Sequence, residues 1–416
     1  MNIIINKKIN ILKLAREFLV VLFIIWSLNP MANFYSRYIG FGILLIWLVF
    51  AFLLRPNVFF VSINKGFLLA FAFPLFSAFS SLVSRNEINA TYFMMTFIYF
   101  IFWYYYNLKD YTSMKIISFS AVVYYVIIAV YSISRLAVDG RLARYLAQSD
   151  QSRTILYAHP LLANYTYIYS LILLAVTISG ILFIYSNSIK RTKKLYLFLC
   201  MLSFLIVVIM AQFMIAILLF ATFLVIMLNI TRKRTYRNII IQLLFLILLI
   251  FIFLNIDTIL IFFSRLSTSQ TLKTRLNDIR FLIKGFDISA TEALSLRFKL
   301  YLDSINTFFS YPFFGVGYTE YRMGGLVGGH SEILDRLAYH GIIGAGFLFT
   351  GVYSNYKYII NKMNDKSKKI YKTIFIMFIF VSLLNLSYSI PFLIMLYIII
   401  PFGIIVYEQY HVNDRI

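Results

Sequence analysis

The sequence predicts an all-α polytopic membrane protein of about twelve transmembrane helices. Three observations carry this. Hydrophobic residues make up 61% of the 416-residue chain and charged residues only 13%, against about 45–50% and about 25% in soluble domains. Apolar runs near 20 residues, the length that crosses a hydrocarbon core, recur along the whole chain. Basic residues gather in short loops between those runs, as the positive-inside rule requires. A soluble enzyme and a disordered chain are excluded by the same figures. The net charge of +22 reads as loop topology rather than as a nucleic-acid surface.

The runs place spans at about 18–36, 39–54, 66–83, 91–106, 116–134, 161–185, 195–211, 213–230, 239–256, 341–358, 373–387 and 390–407. The first carries no small-residue cleavage site after it and reads as a retained span rather than a signal peptide, ending near Pro30. The stretch 195–230 has no charged residue. As one helix it would be about 54 Å long, too long for a core of roughly 30 Å. Two spans with a turn near Gln212 fit, and parity agrees. The loops Lys190, Arg191, Lys193, Lys194 and Arg232, Lys233, Arg234, Arg237 both belong inside, as does the group from Lys357 to Lys369. Both termini then lie in the cytoplasm.

The chain reads as one integral membrane domain, 1–416, without internal repeats. Two external segments interrupt it, 135–160 and the much longer 257–340. Loops of that length need a function, so chemistry is expected there. Within the second, 273–309 has helical periodicity, with Leu294, Phe298, Leu302, Ile305 and Phe309 among its apolar positions, and Pro312 stops the last helix. Short helices lying on the membrane surface are expected. The bias toward Phe and Tyr reads as lipid-facing surface and interfacial belts. Cys200, the one cysteine, sits in an apolar run and excludes disulfides and thiolate clusters.

Residue chemistry converges on the long loop. Nine of its glycines and those of the next span fall between 315 and 346, among them Gly315, Gly317 and Gly329. They suit either a loop shaped around a ligand or, for Gly341, Gly344 and Gly346, close helix packing. No Gly-Lys-Ser/Thr follows them, so this is not a nucleotide loop. His330 follows directly, with Glu332 and Asp335 close behind. A histidine can take a proton from a hydroxyl, and a carboxylate can orient it. The alternative is a plain surface histidine. His340 reads as interfacial. His159, before Pro160, closes a cavity or caps a helix, and Gln212 faces a cavity or caps its turn. External arginines form a second group, with Arg141, Arg265 and Arg297 foremost. A guanidinium forks onto phosphate oxygens, and interfacial contact with lipid head groups is the alternative.

The sequence resembles the O-antigen ligase and O-antigen or capsular polysaccharide polymerase superfamily of bacterial membrane glycosyltransferases. The likeness is carried by Arg297 followed by Tyr311-Pro312-Phe313-Phe314-Gly315-Val316-Gly317, by His330-Ser331-Glu332 with Leu337 and Gly341-Ile342-Ile343-Gly344, and by Gly140-Arg141 with His159-Pro160-Leu161-Leu162-Ala163. Ser331 stands where the family commonly has Asn, and Ala211-Gln212 stands where it often has Ser-Arg. The resemblance implies a GT-C-type fold in the bacterial cytoplasmic membrane and an undecaprenyl-diphosphate-linked oligosaccharide donor. In it, His330 deprotonates the acceptor hydroxyl, and Arg141, Arg297 and Arg265 hold the leaving diphosphate. Glu332, Gly315, Gly317, Gly329, His159 and Gln212 support them. It implies neither metal nor cofactor, nor a nucleic-acid partner; membrane lipids and a chain-length regulator protein are the partners. A polymerase is favoured over a ligase that delivers the finished glycan to a lipid or protein, because the motif region is more similar to the capsule and exopolysaccharide polymerases; it is favoured over a flippase for the same lipid-linked sugars, because ionisable groups are nearly absent from the spans.

Overall fold

The computed structural model describes residues 2–31, 37–83, 88–140, 142–146, 152–185, 189–211, 213–231, 292–317 and 326–413, together with 258, 261–262, 264–265 and 273. The described residues are all-helical, without strands. In chain order the helices are α1 (Asn2–Leu28), α2 (Arg37–Leu54), α3 (Pro56–Ser62), α4 (Lys65–Val83), α5 (Ala90–Leu108), α6 (Tyr111–Leu136), the short α7 (Leu142–Tyr145) and α8 (Ser152–Ala158), α9 (Tyr165–Ile184), α10 (Arg191–Met210), α11 (Met214–Thr231), α12 (Glu292–Ser310), α13 (Glu332–Ile360) and α14 (Asp365–Leu384). A last helix, α15, runs from Ile390 through a π-helical stretch, Met395–Ile399, into Ile400–Asn413. Pro401 lies just beyond that stretch and has no N–H to give, which is a usual cause of such a bulge.

Every expected span within the described residues coincides with a helix; the expected span 239–256 lies outside them. Among the described residues, five helices are individually long and apolar enough to cross a membrane: α4, α6, α9, α10 and α15 up to Gln409. The bent pair α2–α3, which turns by 120° at Arg55, makes a sixth if counted as one span. The protein is therefore a multi-pass membrane protein by the length and composition of its helices. The uncharged run 195–230 breaks where its length demands, between Met210 and Met214. The first helix starts earlier than the expected span and ends at Leu28, two residues before Pro30.

The most buried of the membrane-crossing helices are α9 and α15, which pack against each other and against α6 and α14. α5 contains five tyrosines and is buried along most of its length. The Tyr104 hydroxyl finds two partners inside the protein: it donates to the Ala51 carbonyl at 3.1 Å and accepts from Arg16 at 3.0 Å. Large apolar side chains such as Leu53, Phe79, Phe119 and Tyr196 are exposed on the periphery. For a bundle of this composition such a surface is the lipid boundary.

α13 is laid tightly along α4. A Cβ on Gly351 would lie 2.6 Å from the Ala70 Cα, so the two backbones meet without a side chain between them. One turn further, buried Asn355 donates to the Gly66 and Gly351 carbonyls, both at 2.9 Å, and accepts from Trp103 Nε1 at 3.0 Å. These contacts fix α13 against α4 and α5 and so set where its first turns stand.

The packing sorts the loops to two ends. One end gathers Lys13, Lys109, Asn64, Lys65, Lys362 and the start of α14; there Lys13 pairs with Asp110 at 2.8 Å. The opposite end gathers Trp26, Asn89, Arg336 and Ser389. Of the segments expected to be cytoplasmic, those around Lys65, Lys109 and Lys362 share the first end, while 232–237 lies outside the described residues; the candidate site lies at the second end.

Candidate functional site

The site is organised by a break in α13. Gly341 has φ 60° and ψ −172°, a conformation essentially restricted to glycine, and divides the helix into an amphipathic first part, 332–340, and a second part that runs along α4. A helix break frees carbonyls on one side and N–H groups on the other, and both are costly to leave unpaired near a membrane. The segment after α12 supplies both sets of partners. Val316 and Gly317 donate to the Ala338 and Tyr339 carbonyls at 3.0 and 2.9 Å, while Ile342 and Ile343 donate to the Pro312 and Phe313 carbonyls at 2.8 and 3.3 Å.

The crossing leaves no room for side chains at its centre. A Cβ on Gly315 would lie 2.4 Å from the Tyr339 carbonyl group, and one on Gly341 would lie 2.3 Å from that of Phe313. Gly315 also has positive φ, 69°. The two motif segments of the sequence are thus spliced to each other through paired glycines. The reading of Gly341, Gly344 and Gly346 as one packing stripe is corrected: Gly344 packs against Phe76, Gly341 makes the break, and nothing lies within 4 Å of a Cβ on Gly346.

The first turn of α13 is pinned from three sides. Ser331 caps it by accepting from the Leu334 N–H, and Asp335 accepts from the Ser331 N–H at 3.1 Å and from Ser304 Oγ on α12 at 2.5 Å. The same serine accepts from the Gly328 N–H at 2.9 Å, so the glycine turn before His330 lies down on α12. Glu332 is buried and accepts from the Ser387 and Tyr388 N–H groups, both at 3.0 Å, in the connection between α14 and α15. Its other oxygen takes the guanidinium of Arg336, four residues on. Arg336 in turn donates to the Tyr92 hydroxyl and lies over the Tyr92 and Tyr388 rings at 5.2 and 5.8 Å.

Arg336 stands in the wall of a cavity of about 230 Å³, with Trp26, Ser27, Asn89, Tyr92 and Ser389 among its other lining residues. Drug-sized sites span about 300–1,000 Å³, so this one suits a single small polar group. Its wall offers one cation shared with a carboxylate, hydroxyl and amide groups, and two aromatic rings.

Burial pushes the Asp335 carboxyl up to about 6, with the neighbouring Glu332 adding to it, against the opposing hydrogen bonds from Ser304 and Ser331. The folded state therefore holds a proton that the unfolded chain releases near pH 4. Stability should fall as pH rises from about 4 to about 6. The Asp335→Asn variant should lose this slope, read as melting temperature against pH in detergent. Equal slopes in the variant and the parent would contradict it.

The structure spreads the sequence-predicted residues over several elements. Glu332 is at the core of the site, and Gly315 and Gly317 form the splice. Gly329 has positive φ in the turn before His330. His330 is exposed at the head of α13 and is not among the residues lining the cavity. His159 is half-buried before α9, whose cap is Asn164 rather than the histidine, and it too is not a cavity residue. Arg265 is exposed. Arg141, Gln212 and the side chain of Arg297 lie outside the described residues.

Two residues of the site were not singled out from sequence. The i, i+4 spacing of Glu332 and Arg336 was a legible signal. His340 had none: it is 1% exposed, packed against Phe73 and Tyr92 with ring centroids at 5.1 and 5.9 Å, and both ring nitrogens lack a hydrogen-bond partner among the described residues. Burial and the Arg336 cation both push its pKa down, which holds it neutral. No protein-family model matches this chain, and no curated protein does.

Proposed function

We propose that the protein is a polysaccharide polymerase of the bacterial cytoplasmic membrane. It joins undecaprenyl-diphosphate-linked oligosaccharide repeats by inverting glycosyl transfer on the side away from the cytoplasm. The single observation that supports this best is the pinned α13 head: an exposed histidine, His330, carried on a segment that Glu332, Asp335 and the glycine splice hold against the membrane bundle beside a polar cavity. In this reading the chain has twelve spans in a GT-C-type arrangement, with both termini cytoplasmic, and the Arg336 end faces outward.

The acceptor sugar hydroxyl gives its proton to a neutral His330 as its oxygen attacks the donor anomeric carbon. The bond from that carbon to the diphosphate oxygen breaks on the opposite face, and the electron pair leaves with the diphosphate. Arg141, Arg297 and Arg265 hold the developing charge, as the family resemblance implies. Glu332 and Arg336 act as a brace: they make the first turn of α13 rigid and keep the cavity wall in place.

Purified protein in nanodiscs, given a synthetic undecaprenyl-diphosphate-linked repeat as both donor and acceptor, is expected to produce a ladder of products. Absence of a ladder from folded protein overturns the polymerase reading. Transfer that appears only when a separate lipid or protein acceptor is added replaces it with ligation.

A further inference from the structure

A second cavity lies at the opposite end of the bundle from the candidate site, between the α3–α4 turn, the end of α5 and the end of α13. Its volume is about 250 Å³, and its lining includes Asn64, Lys65, Trp103, Tyr106, Asn107 and Lys362. None of these residues belongs to the transfer site. We propose that this cavity binds the phosphodiester head group of an anionic phospholipid from the leaflet at that end, which the positive-inside rule assigns to the cytoplasm.

Two ammonium groups reach one cavity from different helices, Lys65 from the first turn of α4 and Lys362 from just past the end of α13. Neither has a carboxylate within ion-pair distance among the described residues, although Lys13 and Lys368 at the same end do. Lys362 instead lies over the Tyr106 ring at 5.9 Å. Two unneutralised cations on one small cavity attract an anion, and a phosphate oxygen set accepts from both.

The walls are built independently of any ligand. Trp103 donates its indole N–H to Asn355 at 3.0 Å, and Asn107 donates to the Ser62 hydroxyl at 3.1 Å. Asn64 accepts from the Phe67 N–H at 3.0 Å and so caps α4. The cavity therefore has fixed aromatic and amide sides, and a phosphate entering it also meets the positive end of α4.

The surroundings select a lipid over a free anion. α2 and α3 meet at 120°, which turns α3 away from the direction of α2. At that rim Phe60 and Val61 are exposed, and Tyr358 is partly so. An aromatic-rimmed basic pocket flanked by exposed apolar side chains matches a head group with its acyl chains lying against the protein. Inorganic phosphate would use the lysines but leave the rim in contact with nothing.

The test reads binding and not polymer, so its failure is separate from failure of the polymerase reading. The protein is placed in nanodiscs of phosphatidylcholine, with or without phosphatidylglycerol, and retained lipid is counted by native mass spectrometry. Phosphatidylglycerol should be retained by the parent and lost at least tenfold in the Lys65→Gln, Lys362→Gln double variant. Lys65→Arg, Lys362→Arg should keep it, because the cations remain. Lys366→Gln, Lys369→Gln, which removes the same charge at the same end but outside the cavity, should also keep it. The melting temperature of each variant in phosphatidylcholine alone should match the parent, which reports the fold. Equal loss in both Gln pairs reduces the effect to general surface charge and overturns the site. So does retention in the Lys65, Lys362 Gln pair, or displacement of the lipid by millimolar inorganic phosphate.

Discussion

Gly341→Ala should destabilise the protein by at least about 3 kcal/mol, while Gly346→Ala, five residues along the same helix, should be neutral or stabilising by up to about 1 kcal/mol. The two glycines look alike in sequence and differ in every physical respect. Gly341 has φ 60° and ψ −172°, which an L side chain scarcely adopts, and its Cβ would lie 2.3 Å from the Phe313 carbonyl group. The obstacle is backbone, so no rotamer change relieves it. Relief requires the 311–317 segment to withdraw, which strands the Ala338 and Tyr339 carbonyls and the Ile342 and Ile343 N–H groups at the helix break. Gly346 has helical geometry and open space, so alanine only removes the helix penalty of glycine. Thermal unfolding of both variants in one detergent separates the cases. Equal melting temperatures would show that the splice contributes no stability.

His330→Ala should abolish polymer formation, with a loss of at least about 100-fold in transfer rate, and leave the melting temperature close to that of the parent. The side chain is exposed, and truncations of that kind usually change stability by no more than about 0.5 kcal/mol. The pinning of the α13 head comes instead from Ser331, Glu332 and Asp335. Activity and fold are therefore separable at this position, which is uncommon for a site residue. Product chain length in a polymerase-null strain, with membrane abundance checked alongside, measures both. Normal chains from His330→Ala would remove the histidine from the chemistry.

Apolar length was the most legible property of the chain. The break between Met210 and Met214 follows from it, because no single helix of that length fits a bilayer. Pro312 marked the end of α12, which closes at Ser310. The splice was not legible, because it joins residues 313 and 341 through backbone groups that carry no side-chain signature. For the same reason the glycines could be read as ligand shaping or as packing when their work is to let two chains cross. The burial of His340 depends on Phe73 and Tyr92, which are remote in sequence, so nothing local distinguished it from an interfacial histidine. Arg336 shows the opposite case: its pairing with Glu332 was visible at i, i+4, but the cavity that gives the pair its place is assembled from α1, α5 and α15.

The proposed reaction requires the α13 head to face away from the cytoplasm, and residue accessibility tests that most directly. In a Cys200→Ser background, Leu326→Cys places a thiol on an exposed position of the turn before His330, and Lys369→Cys places one at the opposite end. A membrane-impermeant maleimide applied to spheroplasts should label position 326 and leave position 369 unlabelled until the membrane is opened. Labelling of 369 with protection of 326 would put the site in the cytoplasm and contradict the proposed reaction.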